Sequence, residues 1–465
     1  MFFFVFCLVL LNVLYGFCSM VMKSIISVYV LFVFMRSEDE IKEILLRQRD
    51  IFLKKNFGVE RDLLKEIEKK LSLPHVLVLT GLRRSGKSTL LRQIIKKFYH
   101  DENFYYINFE DERLIGFKAN EFNQLYEASV SLFGKSKTFF LDEVQNVSHF
   151  ETFIRRFYEE GFKFIITGSS AALLSKEIGT KLTGRHLDIT LKPFSFFEFL
   201  SLRGITLSEA FWLKVEKRAD IKNHFEEYLT KGGMPEYLIH NEQDLLGQVY
   251  NDIVIKDIAA RYKVEDTITL RQLYLYLISN VSNRFSFNSL KKFTTVKSVN
   301  TIKKFIEYLE QTHFATSINK FDYSFKKQVV NDKKFYLSDN GFLEILSRTF
   351  SKDKGKLLEN LVFTNLNKKY PEEVTYFTDS KSECDFIVSK NKQVVNAFQV
   401  CYDLNELNRE RELRGLLSAM KEFNLKQGIL LTNTQEEEIK TKDPETAILV
   451  MPVWKWLLEK HIQTT

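Results

Sequence analysis

One stretch near residue 80 combines the residue types that hold phosphate groups. It follows an apolar, β-branched run at residues 76–79 and precedes a helical pattern at residues 90–98. Its members are Gly81, Leu82, Arg83, Arg84, Ser85, Gly86, Lys87, Ser88 and Thr89. The two glycines let the backbone turn its N–H groups toward an anion at the positive end of a helix. Strand, loop and helix in this order predict a P-loop, with residues 81–89 in contact with ATP.

The polar side chains of this stretch and of a later one suit phosphate chemistry. We expect Lys87 to bind the β- and γ-phosphates and the Ser88 hydroxyl to bind Mg²⁺. Further along, Asp142 and Glu143 end a second apolar run, at residues 138–141. In such a pair the first carboxylate holds the Mg²⁺ shell and the second polarises the attacking water. The pattern predicts Mg²⁺-dependent hydrolysis of ATP, with Lys87 and Glu143 as catalytic residues.

Strand and helix patterns alternate through this part of the chain. Strand patterns at residues 104–109, 138–141 and 163–170 are separated by helical patterns at residues 121–133 and 150–159. Alternation with this spacing is typical of the α/β class, in which a parallel sheet is covered by helices on both faces. The sequence therefore predicts a doubly wound parallel sheet around the P-loop.

Several short sequences after the P-loop resemble the AAA+ ATPases common in archaea and many bacteria. They are Thr167-Gly168-Ser169-Ser170, Leu182-Thr183-Gly184-Arg185, and residues 191–199, 232–236 and 255–258. The resemblance implies that Ser169 senses the γ-phosphate. It also implies a homo-oligomer in which an arginine of a neighbouring subunit completes the site, and Arg185 is the candidate. The alternative for Arg185 is a structural role at the surface.

Positive charge is concentrated in one later segment. The chain carries a net charge of +7. Residues 284–334 hold eleven Lys or Arg and four Asp or Glu, so this segment accounts for the whole excess. A basic patch of this density indicates a polyanionic partner.

The pattern of elements in the basic segment predicts a winged helix. Helical patterns at residues 270–281, 286–293 and 298–310 precede strand patterns at residues 314–318 and 334–337. This order is that of a winged helix, whose third helix reads DNA. Asn300, Lys303 and Lys304 on that helix are the candidates for contact with double-stranded DNA. The alternative is a signalling or docking ATPase that binds a protein partner, because winged helices also serve as docking modules.

The last third of the chain resembles the PD-(D/E)xK nuclease fold. Glu359, Asp385 and Gln399 match the first three places of that motif, and Cys401 stands where the resemblance requires a lysine. A thiol does not stabilise a developing phosphorane charge as a cation does. Two carboxylates and a neutral amide also make a poor Mg²⁺ site. We therefore expect a nuclease-like scaffold without cleavage activity, unless a lysine from elsewhere, such as Lys381, takes the place of Cys401.

The first thirty-four residues are mostly apolar and carry one charged side chain, Lys23. A helix of this length and hydropathy can span a bilayer. The segment is either a membrane anchor with the catalytic part on the cytoplasmic side, or an extension upstream of a true start at Met35. We do not expect a secretory signal, because the segment has no basic start and export would separate a P-loop protein from its ATP. Four cysteines without zinc or disulfide spacing suit a reducing compartment, so the predicted location is cytoplasmic.

Length and composition indicate a globular chain of about two to four domains. With 45% hydrophobic and 27% charged residues, it has enough apolar side chains to fill several cores. The predicted segments are the apolar residues 1–34, an AAA+ ATPase domain at 36–200, a helical and winged-helix region at 205–345, and an α/β restriction-endonuclease-like domain at 350–465.

Overall fold

The computed structural model describes residues 36–100, 103–168, 182, 184–207, 214–296, 298–347, 353–441 and 443–462. The apolar segment 1–34 and Ser169, the predicted γ-phosphate sensor, lie outside the described residues. Among the helices that are described, none is long and apolar enough to cross a membrane.

The first unit is built on a five-stranded sheet with the order β2-β3-β4-β1-β5. The strands are β1 (Val76–Gly81), β2 (Tyr105–Asn108), β3 (Thr138–Asp142), β4 (Lys163–Thr167) and β5 (His186–Leu191). Every neighbouring pair is parallel. β1 and β3 are buried along their whole length, as expected for strands covered on both faces. The predicted α/β class and parallel sheet are confirmed.

Helices cover both faces of this sheet and create two separate cores. They are α1 (Glu38–Lys54), α2 (Leu64–Leu71), α3 (Lys87–Phe98), α4 (Phe122–Phe133) and α5 (Phe150–Glu159). A further helix, α6 (Phe196–Leu202), follows β5 and packs in a different core. On one face Phe122 stacks on Phe153 with ring centroids 3.9 Å apart. On the other face Leu90 and Ile94 of α3 pack with Leu79 of β1. Twelve of the 43 phenylalanines are buried in these two cores.

The register of the parallel strands places the predicted catalytic groups at one edge. Leu79 of β1 lies opposite Thr167 of β4, and Leu141 of β3 lies opposite Ile166. Because all strands run in the same direction, their carboxyl ends meet at this edge. The P-loop after β1 and the acidic pair at the end of β3 are thus neighbours.

The second unit is mostly helical. Its helices are α7 (Val215–Lys231), α8 (Pro235–His240), α9 (Asp244–Asp252), a π-helical segment (Ile253–Ala260), α10 (Thr267–Ser279), α11 (Phe287–Phe293), α12 (Val299–Gln311), α13 (Phe325–Val330) and α14 (Asn340–Leu346). Three short strands, β6 (Arg284–Phe285), β7 (Ala315–Asn319) and β8 (Lys333–Leu337), form an antiparallel sheet with the order β6-β8-β7.

The third unit holds a six-stranded mixed sheet with the order β13-β14-β12-β11-β10-β9. The elements are α15 (Lys354–Lys369), β9 (Val374–Thr378), β10 (Glu383–Lys390), β11 (Gln393–Val400), α16 (Arg409–Glu422), β12 (Gln427–Thr432), β13 (Glu437–Lys440), β14 (Ala447–Pro452) and α17 (Val453–Ile462). β11, β12 and β14 are parallel, and the remaining pairs are antiparallel.

One continuous hydrophobic core joins the three units. It contains Leu82 of the P-loop and Phe199 of α6, Tyr274 and Phe342 of the second unit, and Phe386 of the third. Each of these side chains is at most 1% exposed. Because burial of apolar surface is the main force that holds elements together, the second and third units are packed against the P-loop rather than loosely tethered to it.

Candidate functional site

The backbone of the P-loop needs glycine at its two ends. Gly86, the residue before α3, has a φ of 99°. At Gly81, with a φ of 148°, an added Cβ would lie 2.3 Å from the backbone oxygen of Leu191 in β5. Residues with a Cβ rarely adopt such φ values, so glycine is required for both the turn and the close approach of β5. The spacing of the predicted phosphate-binding loop therefore has a local structural cause.

Lys87 lies over its own loop and beside the predicted catalytic acid. Its Nζ donates to the backbone oxygens of Gly81 (3.2 Å) and Leu82 (3.4 Å). The same Nζ is 3.8 Å from Oε1 of Glu143. Only 5% of the Lys87 surface is exposed. A cation held in this way at a helix N-terminus is positioned to receive phosphate oxygens.

Asp142 is buried at the end of β3 and is surrounded by hydroxyl donors. Tyr106 donates its hydroxyl to Asp142 Oδ2 at 3.2 Å, and Ser88 and Thr167 also hydrogen bond to this carboxylate. Burial, and then the charge of Glu143, raise the pKa of Asp142. A carboxylate in contact with the Ser88 hydroxyl provides the oxygen ligands that Mg²⁺ prefers. The residues present therefore fit the predicted metal site.

Glu143 is held in an unusual backbone conformation. Its φ is 52°, in the left-handed region that a residue with a side chain seldom occupies. The Glu143 N–H donates to Thr167 Oγ1 at 3.0 Å, while the Thr167 hydroxyl donates to Asp142. One threonine thus holds both acidic residues. Thr167 was not among the predicted site residues, although a hydroxyl residue at the end of a strand beside β3 was a usable signal.

The two arginines of the P-loop contact the second unit. Nε and Nη2 of Arg83 lie 3.1 and 3.2 Å from the two carboxylate oxygens of Asp257, which belongs to the π-helical segment. Nη1 of Arg83 is 3.8 Å from Glu110. Arg84, with a φ of 61°, pairs with Glu236 at 3.2 Å. Both arginines therefore link the predicted nucleotide loop to the helices that follow the sheet.

A buried arginine, Arg61, connects the P-loop to the segment that follows β5. Arg61 is 5% exposed and pairs with Glu198 of α6 at 2.9 Å. It also donates to the backbone oxygens of Ser85 (3.0 Å) and Lys192 (2.6 Å). Elsewhere in the loop, Thr89 Oγ1 accepts a hydrogen bond from Arg92 at 2.8 Å. Sequence spacing gave no sign of Arg61, because its partners come from three distant segments.

Arg185 lies far from the P-loop of its own chain. Its backbone oxygen accepts from the N–H of Val76, the first residue of β1, whereas the P-loop follows the other end of that strand. The Arg185 side chain is 40% exposed and pairs with Glu159 at 2.8 Å. The described residues therefore do not bring Arg185 to the site of the same chain, and a role at a neighbouring subunit's site stays a prediction.

The nuclease-like residues of the third unit surround a lysine that the sequence analysis did not select. Nζ of Lys334, on β8 of the second unit, lies 2.8 Å from Glu383, 3.1 Å from Asp385 and 3.2 Å from Glu359. Gln399 accepts from the Asp385 N–H at 3.4 Å and donates to Glu412 at 2.8 Å. Lys381, the alternative lysine, is instead exposed in the turn after β9. An internal ammonium ion thus occupies the centre of the acidic cluster.

The ion pairs of this acidic cluster also reduce the number of basic residues available in the predicted nucleic-acid patch. Lys334 is 2% exposed, and Arg284 pairs with Glu383 at 3.2 Å, so these two of the eleven basic residues are held in ion pairs within the protein. Asn300 and Lys304 are exposed on α12, and Lys303 lies 5.1 Å from the ring of Phe287. The apolar face of α12 is formed by Ile302, Phe305, Ile306 and Leu309, which are buried.

Comparison with known proteins agrees with this geometry. Residues 74–200 match a family described as an AAA domain, and residues 222–353 and 354–456 match two domains of unknown function, DUF8612 and DUF4143. The uncharacterized protein MJ1544 of Methanocaldococcus jannaschii is 34% identical over 410 residues, which cover 85% of this chain and 90% of that protein. The chain belongs to the family of that protein. An uncharacterized protein of Haemophilus influenzae is 28% identical over 398 residues, covering 83% of this chain and 94% of the relative.

The AAA domain of this family member contains the P-loop, Asp142 and Glu143. Its parallel five-stranded sheet is that of an AAA-type P-loop ATPase. Solved structures with partial likeness include AMPPCP-bound DnaA from Aquifex aeolicus, at 16% identity and a TM-score of 0.24 over 56% of this chain and 92% of that one. The Thermotoga maritima RuvB Holliday junction branch migration motor has 17% identity and a TM-score of 0.28 over 57% of this chain and 93% of that one.

Proposed function

We propose that the chain binds ATP with Mg²⁺ at residues 81–89 and hydrolyses it. The observation that carries the proposal is the 3.8 Å approach of Lys87 Nζ to Glu143 Oε1 at the carboxyl edge of the sheet. Lys87 binds the β- and γ-phosphates, and Ser88 and Asp142 hold Mg²⁺, which neutralises charge on the phosphate oxygens. Glu143 orients the attacking water, and Thr167 keeps both acids in place.

The test is Mg²⁺-dependent ATP turnover and ATP binding by the full chain and two variants. Glu143→Gln is expected to bind ATP like the parent and to lose turnover by about 100-fold or more, since it removes only the group that acts on water. Lys87→Ala is expected to lose both, because it removes a phosphate contact. Parent turnover that survives in Glu143→Gln would contradict the assigned role, and absence of ATP binding by the parent would contradict the function.

We further propose that this ATPase is coupled to double-stranded DNA through the segment 284–334. Helices α10, α11 and α12 with the sheet order β6-β8-β7 support a winged helix, and Asn300 and Lys304 are exposed on its third helix. Because each lysine–phosphate contact releases a counterion, Lys304→Ala is expected to lower the slope of log affinity against log salt by about one. Lys222→Ala, outside the segment, is the control. Binding that is independent of salt would contradict the proposal.

A second candidate partner is a protein, and one surface favours it. Tyr323, Phe325 and Val330, at and beside α13, are 80%, 77% and 76% exposed. Exposed apolar side chains that lie together mark interaction surfaces more often than isolated ones do. Phe325→Ser should then abolish co-purification of a specific partner without changing ATP turnover. If duplex DNA stimulates turnover and Phe325→Ser has no effect on any association, the DNA proposal is favoured.

We propose that the third unit is a nuclease-like scaffold without cleavage activity. The support is Lys334, whose ammonium lies among Glu359, Glu383 and Asp385, where a nuclease of the resembled fold would hold a metal ion. Among the described residues, His, Cys, Asp and Glu side chains form no group of three or more able to hold a metal ion. Cleavage of plasmid DNA by the full chain with Mg²⁺ or Mn²⁺ would contradict this proposal.

A further inference from the structure

Two adjoining cavities lie where the three units meet, away from the acidic cluster. The residues that line both are Lys192, Ser195, Thr316, Asn365, Asn367 and Lys368. The first two follow β5 of the ATPase sheet, Thr316 belongs to β7, and the last three belong to α15. This shared wall therefore consists of two lysines, two hydroxyl residues and two amides, with no carboxylate among them.

Neither lysine of this wall belongs to a close ion pair inside the described part of the chain, although the charge of Lys368 helps to lower the pKa of the buried Glu198. Neither Lys192 nor Lys368 forms an ion pair or a side-chain hydrogen bond with another described residue. Burial, and then the charge of Lys368, lower the pKa of Lys192. Two ammonium ions that repel each other in a partly enclosed space favour an anion between them.

A buried histidine adds a further unused polar atom. His313 lines the wider cavity together with Lys192 and Lys368, and its backbone φ is 59°. Its Nε2 is buried and has no hydrogen-bond partner among the described residues. Burial, Lys192 and Lys87 lower the pKa of His313 to about 3, so the ring is neutral at pH 7. A neutral imidazole has one N–H to donate, and buried polar atoms in folded proteins usually have partners.

The carboxylates of the two cavities lie outside the shared wall. Asp339 lines only the narrower cavity, and it accepts hydrogen bonds from the N–H groups of Gly233 and Gly341. Five acids line only the wider one: Asp62, Glu66, Asp188, Glu372 and Glu459. The region that holds lysines without carboxylates is therefore limited to the shared wall, and this small region suits a compact anion better than a long polyanion.

We propose that the wall formed by Lys192, Lys368, Thr316, Asn365 and Asn367 binds a phosphate group, either as inorganic phosphate or as a small phosphomonoester. The amide of Asn365 already donates to the Leu361 backbone oxygen at 2.9 Å, so the donors of the wall are the two ammonium ions, the Thr316 hydroxyl and the Asn367 amide. Such groups bind tetrahedral oxyanions through charge-assisted hydrogen bonds. A phosphate bound there would contact the ATPase sheet, β7 and α15 at once. This site is separate from the P-loop and does not depend on ATP hydrolysis.

The test uses the full chain carrying Lys87→Ala, so that phosphate binding at the P-loop is weakened. Inorganic phosphate and AMP are titrated by calorimetry and by thermal unfolding, with circular dichroism to verify the fold. We expect both probes to bind and to compete if a monoester fits, and inorganic phosphate alone to bind if only the free ion fits. Adding Lys368→Met, or separately Lys192→Met, should weaken binding by about tenfold or more.

Lys369→Met is the matched control, because this lysine lines the wider cavity but not the shared wall. It should leave the affinity unchanged. Lys368 is exposed, so its variant is expected to fold even if Lys192→Met does not. The proposal is overturned if phosphate does not bind the Lys87→Ala chain, or if Lys368→Met binds it as tightly as Lys369→Met does. Loss of ATPase activity alone would have no bearing on this outcome.

Discussion

Arg83 of the P-loop and Asp257 of the second unit form a bidentate ion pair, with N–O distances of 3.1 and 3.2 Å. The carboxylate is buried, whereas the guanidinium is 23% exposed and also lies near Glu110. Arginine has five N–H donors, and only two are used by Asp257. The pair therefore leaves donors of Arg83 for a nucleotide phosphate while it fixes the loop to the π-helical segment.

Asp257→Asn is expected to lower the stability of the full chain by about 3 kcal/mol, because it leaves Arg83 without its buried counterion. It should also weaken ATP binding, since the guanidinium is no longer held beside the loop. Urea unfolding and ATP titration measure the two effects. Glu236→Gln is the control. The side chains of Glu236 and its partner Arg84 are 41% and 34% exposed, and such exposed ion pairs contribute less than about 1 kcal/mol to stability. Equal effects from the two variants would refute the special role of Asp257.

Lys334→Met is expected to destabilise the protein by about 3 kcal/mol or more, because three carboxylates then lose their shared cation in a buried place. The side chain of Lys334 is 3% exposed, so water cannot replace it easily. Lys381→Met is the matched control in the same cavity, and as an exposed lysine it should change stability by less than about 0.5 kcal/mol. Chemical unfolding checks both. A small effect from Lys334→Met would show that the cluster is hydrated or protonated.

The same cluster predicts a dependence on pH. Burial, and then the charge of Glu359, raise the pKa of Asp385 from 3.8 to about 7. The folded chain therefore binds more protons than the unfolded chain between these pH values, and the stability that Asp385 contributes is lost as the pH rises toward 7. The unfolding free energy of the parent should therefore fall relative to that of Asp385→Asn from pH 5 to pH 8. Urea unfolding of both chains at each pH tests this, and a parent that gains stability relative to Asp385→Asn as the pH rises would contradict it.

Arg185 can be tested as a residue that acts on a neighbouring subunit. It lies at the end of the sheet opposite its own P-loop, so Arg185→Ala should leave ATP binding intact and lower turnover by about 1,000-fold if it serves a second copy. In a mixture of the two variants, Lys87→Ala subunits would then supply Arg185 to the intact P-loops of Arg185→Ala subunits. We expect turnover to recover when the two inactive variants are mixed. Glu159→Gln, which removes only the partner of Arg185, is the control.

The outcome of that mixture separates the two alternatives for Arg185. Recovery of turnover supports an arginine supplied between subunits and hence a homo-oligomer. Activity of Arg185→Ala by itself would instead support a structural role at the surface, where its only described carboxylate partner is Glu159.

Local spacing was enough to identify the P-loop, the acidic pair and the strands that carry them. Gly81 and Gly86 are needed for backbone reasons that are visible in sequence, and buried parallel strands are recognisable as apolar runs. The strand β5 was not predicted, because His186–Leu191 mixes polar and apolar residues at the edge of the sheet. The short β6 was missed for a similar reason, since two residues make no pattern.

The sequence by itself determined the nucleotide-binding motif, the α/β class and the apolar face of α12, because these depend on residues that are close in the chain. Only the tertiary structure decided which charges meet. Thr167 reaches Asp142 from the adjacent strand, Asp257 reaches Arg83 from another unit, and Lys334 rather than Lys381 reaches Asp385. Ion pairs between distant segments depend on how separate elements pack, and that information lies in the shared core rather than in any local pattern.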